Sequence, residues 1–165
     1  MNIPIDIARP NRFFVVLTPP SGIAGLGPMS FRETQIESIS MPGMSVATHD
    51  YELDSYPTFK VPYKRTPEGT FSMSVRLEES GLARKNLKAW IDAAIGRKGG
   101  LYYSKYYNDI AGSVFIQQVD LKGKPTFSVN LANAFPINSD SIPYDWGDTN
   151  SYVKQTVTFS YFDEI

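Results

Sequence analysis

The residues able to do chemistry are few, and their spacing does not assemble a reaction centre. His49 is the sole histidine and there is no cysteine, so a multi-histidine metal site, a histidine-based triad and any thiol chemistry lack their parts. Asp145 and Asp148 flank Trp146 and could suggest the paired carboxylates of glycoside hydrolysis. They straddle Gly147, however, where aspartate is favoured because its side chain bonds the nearby backbone of a turn. Asp50, Glu52 and Asp54 alternate and offer oxygen ligands to a hard cation, without the glycine-centred spacing of a calcium loop. Gly22-Ile23-Ala24-Gly25-Leu26-Gly27 is glycine-rich, yet no Lys-Ser/Thr follows and no helix opens there, so it is no phosphate cradle. The reading is a non-enzymatic chain with no cofactor and no metal.

The elements that hold these residues are mostly strands. Phe13–Leu17 is a continuous apolar run closed by Pro19-Pro20-Ser21-Gly22. Met29–Ile39 reads as one strand with Glu33, Gln35 and Glu37 on one face and Thr34, Ile36 and Ser38 on the other. Phe71, Met73, Val75 and Leu77 alternate with Ser72, Ser74 and Arg76, the period of a half-buried strand. Thr66-Pro67-Glu68-Gly69 before it has the composition of a type I turn. Ser113–Leu121 alternates as well, and after Lys122-Gly123-Lys124-Pro125 the chain returns as Thr126–Leu131. Asn133–Ile165 reads as a loop with a proline kink, a Tyr-Asp-Trp segment, a turn, and a final strand. In that strand Val153, Val157, Phe159 and Tyr161 alternate with Lys154, Thr156, Thr158 and Ser160.

One helix is evident, about Leu82–Ile95. Leu87, Trp90, Ile91 and Ala94 make its apolar stripe, Ser80 can cap its start, Gly96 can stop it, and Trp90 is its core anchor. Tyr102–Tyr107 is loop or edge strand. Met41–Tyr63 loses regular period while carrying Met41, Pro42, Met44, Tyr51, Tyr56, Phe59 and Tyr63. A long irregular segment in a compact domain is usually functional or disordered, and its aromatics argue against disorder. A projecting arm over about residues 41–63 that packs on a neighbouring subunit accounts for both facts. The fold class is mainly β: an antiparallel sandwich or barrel with one helix at its side, in a single domain spanning 1–165.

Composition narrows the function. Of 165 residues, 42% are hydrophobic and 20% charged, an ordinary globular balance. Sixteen basic and seventeen acidic side chains leave a net charge of −1, which argues against a dedicated nucleic-acid binder. The lack of cysteine fits a reducing cytoplasm. Met1–Asp6 has neither a basic nor an apolar leader region, so no signal peptide is expected, and no apolar run approaches the ~20 residues of a membrane span. Ten Phe, ten Tyr and two Trp suit either a β-rich core or an interface.

The lead-in Ala8-Arg9-Pro10-Asn11, the stop Met41-Pro42-Gly43, the Ala89-Trp90 pair, Asn133-Ala134-Phe135-Pro136-Ile137-Asn138 and Tyr144-Asp145-Trp146-Gly147-Asp148-Thr149-Asn150 occur in an order that resembles the tail tube proteins of contractile-tailed bacteriophages. The resemblance covers nearly the whole chain, through several weak motifs in sequence. Tyr51–Tyr63 departs from it. It implies a virion structural protein, assembled in the host bacterial cytoplasm. Six copies would form a ring closed as one large β-barrel, and the rings would stack inside a sheath. The implied partners are other copies of the chain, the sheath protein, baseplate tube-initiator proteins, the tape measure protein and DNA in transit. On this reading Glu33, Gln35 and Glu37 are lumen candidates, with Ser72, Ser74 and Arg76 as a second set. An acidic lining would repel phosphates. The alternatives are a baseplate tube-initiator or a tube subunit of a related contractile injection system, and, in a different class, a monomeric sandwich that binds ligands through its aromatics.

Overall fold

The computed structural model describes residues 12–148 and 151–165; the Ala8–Asn11 lead-in and Thr149-Asn150 lie outside them. Among the described residues there are twelve strands and two helices. They are β1 (Phe13–Thr18), β2 (Met29–Arg32), β3 (Ile36–Ile39), β4 (Met44–Tyr51), β5 (Phe59–Pro67), β6 (Thr70–Arg76), α1 (Leu82–Ala94), β7 (Ile95–Lys98), β8 (Leu101–Ser104), α2 (Tyr107–Ile110), β9 (Gly112–Val119), β10 (Pro125–Ser139), β11 (Lys154–Ser160) and β12 (Asp163–Glu164). The mainly antiparallel β architecture is the one expected, with a second, four-residue helix in addition.

Seven strands follow the order β2-β1-β9-β10-β11-β6-β3, with β12 on β10. Register lines up the buried side chains in rows. Phe31, Val15, Ile116 and Val129 face one another across four strands, and Met29, Leu17, Val114 and Leu131 form the next row. On the other half, Ile39, Met73 and Val157 share a row, as do Phe71, Phe159 and Pro136. Alternation thus delivers one apolar face per strand, and the two halves close on each other and on α1. From α1, Ala83, Leu87 and Trp90 enter the core.

β10 joins the halves. Its first part pairs with β9 and its last part with β11, with register shifts at Ala132/Ala134 and Pro136/Asn138. Buried positions run Val129, Leu131, then Ala134 and Pro136, so the two-residue period resets at Asn133. Asn133 has φ 53, a left-handed conformation that asparagine tolerates better than most residues. The expected loop with a proline kink is therefore strand: the irregularity is a bulge, which bends a strand without ending it.

Three further expectations are corrected. Met29–Ile39 is two strands at opposite ends of the sheet order, because Glu33-Thr34-Gln35 turns the chain. Gln35 closes that turn: its N–H donates to the Arg32 carbonyl at 2.9 Å and its Oε1 accepts from the Arg32 N–H at 3.2 Å. Most of Met41–Tyr63 is regular hairpin rather than aperiodic chain. Gly96 does not stop α1, which ends at Ala94 as Ile95 turns extended (φ −118, ψ 112). Gly96 lies in β7 beneath the ring of Tyr103, where a Cβ would come within 2.2 Å of Cζ.

Candidate assembly surfaces

The polar half of the alternating strands β6 and β11 makes one continuous outward face. Ser72 and Thr158 share a hydrogen bond at 3.0 Å, and Ser74 and Thr156 another at 2.7 Å. Ser38 stands opposite Ser74 from β3, and Ser160 opposite Thr70. The result is a lane of neutral hydroxyls, stitched across three strands by cross-strand pairs.

At the Arg76 end of the lane the charges gather, two cations and one carboxylate around a tyrosine. Lys154 Nζ lies 3.1 Å from Glu37 Oε2, Tyr152 Oη donates to Glu37 Oε1 at 3.1 Å, and the Arg76 guanidinium sits 4.6 Å over the Tyr152 ring. The Lys154 hydrogen bond, helped by that of Tyr152, holds the Glu37 carboxyl below its ordinary value, keeping it ionised and paired. Of the six residues read as a polar set, Glu37, Ser72, Ser74 and Arg76 come together here. Glu33 and Gln35 belong to the β2–β3 turn, so the single acidic strand face does not exist.

The second surface is the β4–β5 hairpin, a two-stranded sheet of its own. Nearly every residue in it is exposed, including Val46 (58%), Tyr56 (74%) and Tyr63 (58%), and Met44, Tyr51, Phe59 and Val61 beside them. Met41 and Pro42 lead into it. His49 stacks on Tyr63 at 4.1 Å between centroids, Tyr51 meets Phe59 at 5.9 Å, and Lys60 donates to Asp50 at 2.8 Å. An isolated two-stranded hairpin is marginal in water, so these cross-strand pairs supply its local order. Its base is tied down twice. Glu68 Oε2 accepts from the Gly43 N–H at 2.8 Å, and Arg65 reaches β12.

Trp90 is fully buried, with its Nε1–H donating to the Ile110 carbonyl at 2.9 Å and its ring edge-on to Phe159. Asp145 Oδ1 accepts from the Gly147 N–H at 2.9 Å, and Asp148 accepts from Ser151; both serve the turn. Among the described residues no group of three or more His, Asp or Glu is placed to hold a metal, and no helix is long and apolar enough to cross a membrane.

Sequence reasoning missed Ser38, Thr156 and Thr158 as members of the lane. Their alternation was visible, but only pairing β11 with β6 joins them to Ser72 and Ser74. Arg65 gave no signal, since its partner lies 98 residues away.

A wide polar sheet face and an apolar hairpin held clear of the core define a protein built to assemble with others. A sequence profile of the phage tail tube protein family matches residues 8–163, and the chain belongs to that family. Its role is accordingly structural, as a component of the tail. The fold is shared with a chain in the tube-terminating cap of the anti-feeding prophage (19% identity, TM-score 0.67, covering 100% of this chain and 94% of that one). It is shared also with a chain in the sheath-tube complex of the PVC extracellular contractile injection system in its extended state (17%, 0.60, 99% and 90%). A third similar chain comes from the baseplate of the anti-feeding prophage (12%, 0.63, 100% and 96%). No curated protein matches the chain in sequence.

Proposed function

We propose that this chain is the repeating subunit of the inner tube of a contractile tail, forming stacked hexameric rings around a lumen for DNA. The observation that carries this reading is the β4–β5 hairpin, whose two strands expose apolar and aromatic side chains along their length. A monomer gains nothing from such a hairpin, whereas a neighbour that covers it buries its apolar surface at about 25 cal/mol per Å². The edge strands β2 and β3 gain in the same way, since pairing them between subunits removes exposed edges and closes a barrel.

In this tube the hydroxyl lane of Ser72, Ser74, Thr156 and Thr158 lines the lumen, with Glu37 and Arg76 at one rim and Glu33 and Gln35 on the adjoining turn. A lining made mostly of hydroxyls suits transit, because DNA held by phosphate neutralisation needs a row of free cations. Here Lys154 is paired with Glu37, while Arg76, resting on the neutral Tyr152 ring, adds one charge at the rim. The sheath and the baseplate initiators dock outside and at the end of the tube. The tape measure protein and then DNA occupy the lumen without specific recognition. Assembly takes place in the host cytoplasm, and the chain performs no catalysis.

A baseplate tube-initiator is the second reading, favoured by the likeness to a chain in the anti-feeding prophage baseplate. Negative-stain electron microscopy of the purified chain, with and without isolated baseplates, separates the possibilities. Long hollow tubes support the repeating subunit, and single rings support the initiator. Monomers in both samples would overturn the assembly reading and leave a monomeric binding module, to be tested by glycan binding.

A further inference from the structure

The second hairpin, β7–β8, is also a two-stranded sheet apart from the main one, and its chemistry is the opposite of the first hairpin's tip. Residues 95–106 carry Arg97, Lys98 and Lys105 and no acid. Beside them stand Leu101 (76% exposed), Tyr102 and Tyr106 (86%). Two contacts join its strands: Tyr103 lies over Gly96, and the Arg97 guanidinium sits 5.6 Å over the Tyr102 ring. None of the three cations has an ion-pair partner among the described residues.

At the end of β4–β5, residues 48–58 carry Asp50, Glu52 and Asp54 and no lysine or arginine. Asp50 is taken by Lys60, while Glu52 and Asp54 have no ion-pair partner among the described residues. Leu53 and Tyr56 are exposed between and beyond them. A chain with a net charge of −1 thus presents a basic aromatic patch and an acidic aromatic patch on two separate hairpins. Two different and complementary surfaces on one chain make a head-to-tail contact that repeats. Charge complementarity of this kind fixes register and rejects wrong partners.

We infer that the Glu52–Tyr56 tip of one subunit seats on the Arg97–Tyr106 hairpin of a neighbouring copy. Glu52 and Asp54 face Arg97, Lys98 and Lys105, while Leu53 and Tyr56 pack against Leu101 and Tyr102. The inference rests on the tube reading for its biological setting, but not for its test.

Because the chain lacks cysteine, single engineered cysteines report the contact cleanly. The full chain carrying Ser55→Cys is mixed with the full chain carrying Leu101→Cys under mild oxidation, and the mixed disulfide dimer is measured. The control partner carries Leu121→Cys, beside the exposed basic turn Lys122-Gly123-Lys124. The tip–hairpin pair is expected to exceed the control by about tenfold. Adding Glu52→Lys and Asp54→Lys to the tip partner should return it to the control level, as removing opposed charges does at close contacts. A yield equal to the control, or one unchanged by charge reversal, overturns the inference. Microscopy of the parent chain keeps the two claims apart. Tubes without the cross-link discard this contact and keep the tube, whereas the cross-link without tubes keeps the contact and discards the tube.

Discussion

Arg65 and Asp163 stand 98 positions apart in sequence, and Arg65 Nη2 donates to Asp163 Oδ1 at 2.6 Å. The same nitrogen donates to the Glu164 carbonyl oxygen at 2.8 Å. One guanidinium thereby ties β5, at the base of the apolar hairpin, to β12, which pairs with β10 of the main sheet. The base of the hairpin is linked to the main sheet by an exposed, charge-assisted contact.

That contact is sensitive to acid. The hydrogen bond from Arg65 holds the Asp163 carboxyl below its ordinary value of 3.8. A carboxylate with a lowered folded value contributes fully above the unfolded value and loses its contribution as pH falls through the folded one. Below about pH 4, amide exchange in β4 and β5 should quicken while that of β9 and β10 stays slow. Arg65→Ala should show the same pattern at neutral pH. Equal protection of the hairpin in parent and variant would mean that something else fixes it.

Trp90→Ala empties a fully buried site and orphans the Ile110 carbonyl. The loss should be about 3–5 kcal/mol, read from denaturant melts. A midpoint unchanged from the parent would show that α1 contributes little to the core.

Gly112→Ala should be nearly as damaging for the opposite reason. A Cβ at Gly112 would lie 2.1 Å from the Thr18 carbonyl oxygen and 2.9 Å from Trp90 Cζ2. Backbone cannot yield as a side chain does, so the cost should reach at least about 1–3 kcal/mol, with the Trp90 fluorescence altered.

Replacing Glu52–Thr58 with an Asn-Gly turn should leave a folded, soluble monomer. Tyr51 and Phe59 already face each other, and Asn-Gly closes two-residue hairpins. The shortened chain should no longer polymerise. Normal tubes would remove the hairpin tip from the assembly contacts.

Ser72→Lys combined with Thr158→Lys places free cations on the hydroxyl lane. If that lane lines the channel, assembled tubes should retain labelled DNA fragments in a salt-dependent way, unlike the parent. Parent-like behaviour would put the lane on another face.

Much of the architecture was legible because burial on one side leaves a two-residue period: Phe71, Met73 and Val75 announced β6, and Leu87 and Trp90 announced α1. Legibility failed where the period is not what decides. Glu33-Thr34-Gln35 interrupts nothing in the pattern of Met29–Ile39, and only the closing hydrogen bonds of Gln35 make it a turn. Pro136 looked like a break, yet it is buried in β10 because the Asn133 bulge restores the inward phase after shifting it. The β4–β5 hairpin has no buried face, so no alternation marks it. The surfaces for assembly were hidden for a related reason: a lane of Ser38, Ser74 and Thr156 is spread over three strands, and no single segment displays it.

The sharing of β10 between both halves has a mechanical consequence. Along β10 the two halves are joined by a continuous peptide backbone, while load passing from β11 to β9 still crosses the hydrogen-bonded ladders on either side of it. Separating the halves of one subunit therefore requires unzipping a whole strand ladder rather than parting a single contact.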